Sequence, residues 1–189
     1  MAINFQTDYT VNQISSLSVS TFYGLQASEV ASLSTAQIKA LTPEQIAAIG
    51  LDVENGSFDD SVIVGFSSTQ IAAFTPYQVQ NGFTTQQLSS FGTQEIKALT
   101  TAQLAVMTYD QINALNEGTV EGVSNADNFQ SMSTMQLAAL TADQLRAIEN
   151  DAGEQLTAAQ IQKLKPSQLD VIDTFSNDQL KALTSAQVK

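Results

Sequence analysis

Ser34 is followed three residues later by Gln37, Thr42 by Gln45, Ser67 by Gln70, Thr75 by Gln78 and Thr100 by Gln103. A hydroxyl three residues ahead of a carboxamide supports two kinds of chemistry. As a reactive group, the hydroxyl is a nucleophile that needs a base within hydrogen-bond reach. The chain contains neither histidine nor cysteine. The commonest general base, thiolate catalysis, disulfides and zinc–thiolate sites are therefore all missing. As a structural group, the same pair is a capping box. The hydroxyl accepts the N3 backbone N–H of a helix while the glutamine returns a bond to the N-cap N–H. The structural reading is the stronger one. The expectation is a protein that is not an enzyme, with no catalytic, cofactor-binding or metal-ligating residue and no cofactor.

Three other groups of residues are of types that could do chemistry. Acids gather in three stretches: Asp52, Glu54, Asp59 and Asp60; Glu117, Glu121 and Asp127; Glu149, Asp151 and Glu154. Alternating oxygens next to Gly56 faintly resemble a calcium loop, but the 12-residue EF-hand spacing that ends in glutamate is not met. Turn formation and solvation explain these stretches better. Lys39, Lys97, Lys163 and Lys181 read as surface solvation. Tyr9, Tyr23, Tyr77 and Tyr109 share no repeat position, so they form no aromatic platform. The recurring glutamines read as helix caps that also bond to adjacent turns, rather than as a row that reads a ligand.

The charge balance narrows the partners. The net charge of −12 comes from 19 acids against 7 bases. Nucleic-acid binding rests on Lys and Arg neutralising phosphates, so no nucleic acid is expected. An anionic membrane surface is disfavoured for the same reason. No apolar run approaches the length of a membrane span, so no membrane insertion is expected. The start, Met1 to Gln13, shows neither a basic region nor an apolar stretch of the secretory kind.

The elements that position these side chains follow from an eight-residue repeat, of which Leu33 to Gly50 contains two consecutive copies. With the large apolar residue as position one, units start at Tyr9, Leu17, Leu25, Leu33 and Leu41, and continue through Phe58, Phe66, Phe83, Phe91, Leu99 and Met107. Ser124, Met132, Leu140, Ile148, Leu156 and Leu164 start the later ones. Nine-residue units are read at Ile49, Phe74 and Leu115. An insertion, Ile172 to Thr174, precedes Phe175 and a partial unit from Leu183. The array is read as a single domain over residues 1–189.

Each position has a physical role. Position two is mostly Ser, Thr, Asp or Asn, the preferred N-caps; Asn116 and Asn125 are read as caps too, while Gln26, Gly50, Gly92, Glu149 and Lys165 depart from the rule. Position five is usually glutamine, with Glu29 and Glu95 as variants. Positions one and six form a hydrophobic staple. Pro43, Pro76 and Pro166 all occupy position three, the first helical residue, where a missing N–H costs nothing. A single long helix fails, because eight residues advance about 800° and the apolar stripe drifts about 80° per repeat. Strands fail because positions one and six have opposite parity.

The fold expected is all-α: a solenoid of very short capped helices with an eight-residue repeat. Helices of about six residues are too short to stand alone and must be held by stacking. Small residues at position eight, such as Ala40, Ala48, Ala73 and Ala98, let successive turns approach. Phe58, Phe66, Phe74, Phe83 and Phe91 thicken the core midway.

The octad L-[ST]-x-x-Q-[IL]-x-A, cleanest over Leu33 to Ala48, Leu99 to Ala114 and Met132 to Ala147, resembles octapeptide-repeat arrays of large bacterial secreted or surface adhesin-like proteins. That resemblance implies export, by a type I route with a C-terminal signal, and a stalk or scaffold role at the cell surface or outside the cell. The stretch Ala40 to Gly50 also resembles the helix start of TAL-effector DNA-binding repeats. Those repeats are far longer, and the negative charge of this chain opposes DNA binding. The chain stops mid-unit at Leu183 to Lys189, as expected of a fragment of a longer array or an assembly that continues end to end. The expected function is a structural or interaction module: an extracellular spacer, adhesin segment or self-associating surface scaffold. The alternative is a ligand-binding repeat module that recognises a protein or polysaccharide. Partners would be the chain itself, end to end or laterally, or a surface protein or polysaccharide.

Overall fold

The computed structural model describes residues 2–54, 56–116, 125–152, 156–170 and 176–188. Most restarts expected from the octad are present as helices of four to seven residues, each begun at the Ser, Thr or Asp of position two. In Thr35–Ala40, Ser34 caps the Gln37 N–H at 3.2 Å while Gln37 Oε1 accepts the Ser34 N–H at 2.9 Å. The same two bonds recur at Thr42, Ser67, Thr75, Thr84, Thr100, Ser133, Thr157 and Ser176. At Gln26, Gly92 and Lys165 the cap side chain accepts nothing, and only the return bond from Glu29, Glu95 or Gln168 remains. Pro43, Pro76 and Pro166 each open a helix.

Successive helices do not lie on their immediate neighbours. From Ala27–Ala31 to Ala142–Ala152 each stacks on the helix three places earlier in the order, and beyond that 11-residue helix on the one two places earlier, which builds three columns around one shared core. The first column runs through Phe5–Asp8, Ala27–Ala31, Asp60–Ile63, Thr85–Ser89, Tyr109–Asn116, Ala142–Ala152 and Pro166–Leu169. The second contains Val11–Ile14, Thr35–Ala40, Ser68–Ala73, Thr93–Ala98 and Asn125–Gln130. The third contains the 3-10 helix Val19–Phe22, then Pro43–Ala48, Pro76–Gly82, Thr101–Val106, Thr134–Ala139, Ala158–Ile161 and Asn177–Ala182. One coil of the solenoid is thus three octads.

Positions one and six supply the core, as in Leu41 with Ile46 and Leu99 with Leu104. Phe66, Phe74, Phe83 and Phe91 form a chain of edge-to-face rings with centroids 5.4, 4.9 and 5.7 Å apart. Phe58 is only partly buried beside it. Position eight is small because coils meet there. A Cβ on Gly65 would lie 2.9 Å from the backbone of Ala27 in the coil below.

The structure corrects the sequence reading in several places. A helix already forms at Phe5–Asp8, before the first octad, and the Leu17 unit is 3-10. The nine-residue unit at Phe74 absorbs its extra residue by lengthening its helix to seven residues, through Gly82. The unit at Ile49 instead makes no helix. It is a loop closed by an antiparallel bridge between Leu51 and Phe58. Gly50, at φ +85° and with Phe58 Cε2 only 2.8 Å from where a Cβ would sit, permits that exit where a Ser or Thr cap cannot. Asn116, read as a cap, is the last residue of the helix Tyr109–Asn116, and its side chain lies outside the described residues. Ile148 starts no new helix, because Ala142–Ala152 runs on for 11 residues with Glu149 in place of a cap. The loop of the Leu115 unit, the insertion Ile172 to Thr174, and the side chain of Asn125 lie outside the described residues.

Candidate functional site

The glutamines are the one chemical feature that recurs in every column. The buried ones bond beyond their own caps, most of them twice. Gln45 Nε2 donates to the carbonyls of Ile14 and Leu17, both at 2.9 Å. Gln78 donates to Ile38 and Leu41, both at 2.8 Å, and Gln103 to Ile71 at 2.8 Å and Phe74 at 2.7 Å. Gln144 reaches Leu104 and Met107, and Gln168 reaches Leu137 and Leu140. The usual acceptors are the position-six carbonyl of one octad and the position-one carbonyl of the next, 23 to 41 residues earlier in the chain; Gln70, Gln111, Gln136 and Gln160 also reach the position-seven carbonyl, and Gln37 reaches Phe5, ahead of the first octad. The position-six carbonyl also accepts the N–H of its own C-cap residue, and the position-one carbonyl is that of the C-cap residue, at the helix end where carbonyls lack i+4 partners. One buried glutamine therefore caps the start of its own helix and the end of a helix in the coil below.

This arrangement explains the residue type. The carboxamide has one acceptor oxygen and two N–H donors, and the buried position offers one N–H and two carbonyls. At Glu29, a buried acid in place of glutamine, the coil below offers a donor instead. The Ile3 N–H reaches Glu29 Oε1 at 2.6 Å while the Gln26 N–H reaches Oε2 at 2.8 Å. Asn128 holds position five of the Ser124 unit and was not recognised from the sequence. It is 2 % exposed, and its Nδ2 donates to Leu115 at 3.1 Å. Its Oδ1 has no partner among the described residues, because asparagine is one methylene shorter than glutamine. Only the asparagine standing where the register calls for glutamine marked this residue in the sequence. Gln13, in the lowest coil of its column, is exposed, and its oxygen accepts the Thr10 N–H at 2.9 Å.

The remaining candidate residues do not converge. Asp52 Oδ1 accepts the Glu54 N–H, Asp59 caps Ser61, and Asp60 Oδ1 accepts the Ser90 hydroxyl at 2.7 Å. No three acidic groups among the described residues are placed to hold a metal ion. Glu117, Glu121, Glu154 and the side chains of Asp127, Glu149 and Asp151 lie outside the described residues. Lys39, Lys97, Lys163 and Lys181 are exposed, with Lys181 paired to Asp178 at 3.2 Å. Tyr9 packs on Phe5, whereas Tyr77 and Tyr109 face solvent.

An open groove of about 470 Å³ runs between the loop at 50–59 and the coil below it, lined by Ser20, Tyr23, Gln26, Asp52, Glu54 and Asp59 among others. The loop is held there by the Gly24 N–H on the Leu51 carbonyl at 2.9 Å. Glu44, at position four of its octad, has its carboxyl held below the ordinary value. Its own backbone N–H is the main cause, and the Thr42 hydroxyl adds to it. Position four is the second residue of each helix, where the helix dipole favours negative charge. No helix among the described residues is long and apolar enough to cross a membrane.

Residues 82–117 match a family model described as the ALTTAQ repeat, and the stretch contains Ala98-Leu99-Thr100-Thr101-Ala102-Gln103 in full. The match supports a repeat protein and spans under half of the chain. No curated protein and no solved structure matches.

Proposed function

We propose that the chain is a structural module, an extracellular spacer, adhesin segment or self-associating surface scaffold, and not an enzyme. One observation carries this reading. The side-chain polar groups that recur most regularly, the glutamine amides, are consumed inside the fold as coil-to-coil links. Such links make each coil a copy of its neighbour, so length is set by coil number, as a spacer requires. Location outside the cell or on its surface belongs to the same proposal, and follows from the resemblance of the octad to surface arrays.

The test is to lengthen the array. A second copy of residues 66–90, one complete coil, is inserted after residue 90. The maximum dimension from small-angle X-ray scattering should rise by about 9 Å, one interaxial step, with helix content per residue unchanged. A chain that keeps its length, or unfolds the extra coil, would refute the spacer reading. Protease treatment of intact cells of the source, with cleavage of the chain, checks the location.

A second reading, a module that binds a protein or polysaccharide, draws on the groove beside Tyr23. Aromatic and carboxylate groups there suit a polyhydroxyl ligand. Oligosaccharide titration followed by tyrosine fluorescence tests it, with Tyr23→Ala as the control.

A further inference from the structure

The chain contains no cysteine, histidine or tryptophan, so its oxidisable side chains are four methionines and four tyrosines. Met1 lies outside the described residues. Met107 and Met132 hold position one of their octads and are each 3 % exposed, within the core. Met135 holds position four, the second residue of Thr134–Ala139, and is 73 % exposed. Folding does not account for a methionine there. Glu44, Asp110, Asp143 and Asp178 occupy the same position in other octads, and a thioether so exposed withdraws little apolar area from water. Lys97, Thr100, Thr101 and Ser133 line an open groove of about 460 Å³ together with Met135. Ammonium and hydroxyl donors suit an oxygen placed on the sulfur far better than the sulfur itself, which is a weak acceptor.

We propose that Met135 is a surface oxidation site, where the chain takes one oxygen atom from hydrogen peroxide and later gives it up to a dithiol reductant. In the forward step a sulfur lone pair attacks one peroxide oxygen, the O–O bond breaks and, after a proton shift, water leaves. The sulfur is oxidised by two electrons and the peroxide is reduced. In the return step two thiols supply two electrons and two protons, the S–O bond breaks, and a disulfide and water form. Methionine sulfoxide is polar and chiral, which disrupts a core but not a solvated position. Met135 therefore carries the oxygen without disturbing the coils, while the same change at Met107 or Met132 opens the stack. Exposed Tyr77 and Tyr109 do not compete, because phenols yield to one-electron oxidants and peroxide delivers its oxygen to sulfur. The site stands apart from the spacer reading, since it needs no particular length or partner.

Treatment of the folded chain with millimolar hydrogen peroxide tests the proposal, with fragmentation mass spectrometry placing each added oxygen. Met135 should react about ten-fold or more faster than Met107 and Met132, and at about the rate it shows in concentrated urea, where all three react alike. The singly oxidised chain should keep its helix signal and melting midpoint. A pair of sulfoxide reductases, one for each sulfur epimer, should restore the original mass when supplied with a dithiol. Met135→Leu should abolish the fast phase and leave the melting midpoint unchanged. Three results would each overturn the assignment: Met107 or Met132 reacting as fast as Met135 in the folded chain, a melting midpoint that falls with the first oxygen, or a sulfoxide that the reductases leave in place. Array length enters none of these readouts, so the spacer measurement above stands or falls separately.

Discussion

Gln103→Glu changes two donor hydrogens into one lone-pair oxygen and leaves the shape of the side chain almost untouched. Gln103 is 1 % exposed, with its oxygen on the Thr100 N–H at 2.7 Å and its nitrogen 2.8 and 2.7 Å from the Ile71 and Phe74 carbonyls. A carboxylate keeps the first bond and loses the other two. It also places negative charge against two carbonyl oxygens in a buried setting. Ile71 retains the Phe74 N–H on its carbonyl at 3.3 Å, so the loss falls mainly on Phe74 and on the carboxylate itself. Leaving buried acceptors unmet costs about 1–3 kcal/mol each, so the total at pH 7 is about 2–5 kcal/mol. The penalty has a definite pH dependence. Protonation removes the charge and restores one donor, so the folded chain raises the pKa of the new acid above its unfolded value of about 4.3. The folded state then binds more protons than the unfolded state, and stability relative to wild type falls as pH rises from 4.3 through the folded pKa. Urea unfolding followed by circular dichroism at 222 nm, between pH 4 and 7, gives both the size and the slope. Gln13→Glu is the internal comparison. Gln13 is exposed, keeps its bond to Thr10 and lies in the lowest coil, so its change should stay within about 0.5 kcal/mol, as at other surface sites. Equal losses at positions 13 and 103 at pH 7, or a loss at 103 that does not vary with pH, would refute the two-ended role of the glutamines.

Glu95→Gln should stabilise the chain by about 1 kcal/mol in the same assay, because glutamine at this octad position donates to carbonyls of the coil below, as Gln103 does, and a carboxylate has no N–H to give. Gly65→Ala should cost about 1–3 kcal/mol, since the added methyl meets Ala27 backbone at 2.9 Å and the coils must part. Phe74→Ala should cost about 3–5 kcal/mol, because it opens the middle of the edge-to-face ring chain. Glu44 should titrate below its ordinary range in a carboxyl NMR titration. Thr42→Val removes the hydroxyl bond but leaves the backbone one, so it should move that pKa up only part of the way.

Residues three apart decide much of this fold, and those are visible in a sequence. Ser34 with Gln37 and Thr42 with Gln45 announce helix starts through bonds closed within a single turn. Pro43, Pro76 and Pro166 fix the register independently, because proline fits only where no N–H is needed. Burial of positions one and six follows from the same spacing. The candidate site was legible in residue type, since Gln45 and Gln103 fall at the capping position, but the carbonyls their nitrogens meet belong to another coil.

The period, the caps and the inward-facing positions follow from residue order alone, since each depends on bonds spanning a few residues. That three octads close a coil is a property of the folded chain, since closure depends on the angle between successive helices, which no local bond sets. So is what the glutamine nitrogens meet, because those carbonyls lie 23 to 41 residues away. The nine-residue units show the division most clearly. One extra residue at Phe74 is absorbed by a longer helix, while at Ile49 it accompanies a loop that leaves the stack. The difference rests on Gly50 turning the chain at φ +85° against the ring of Phe58, which the Leu51–Phe58 bridge holds beside it.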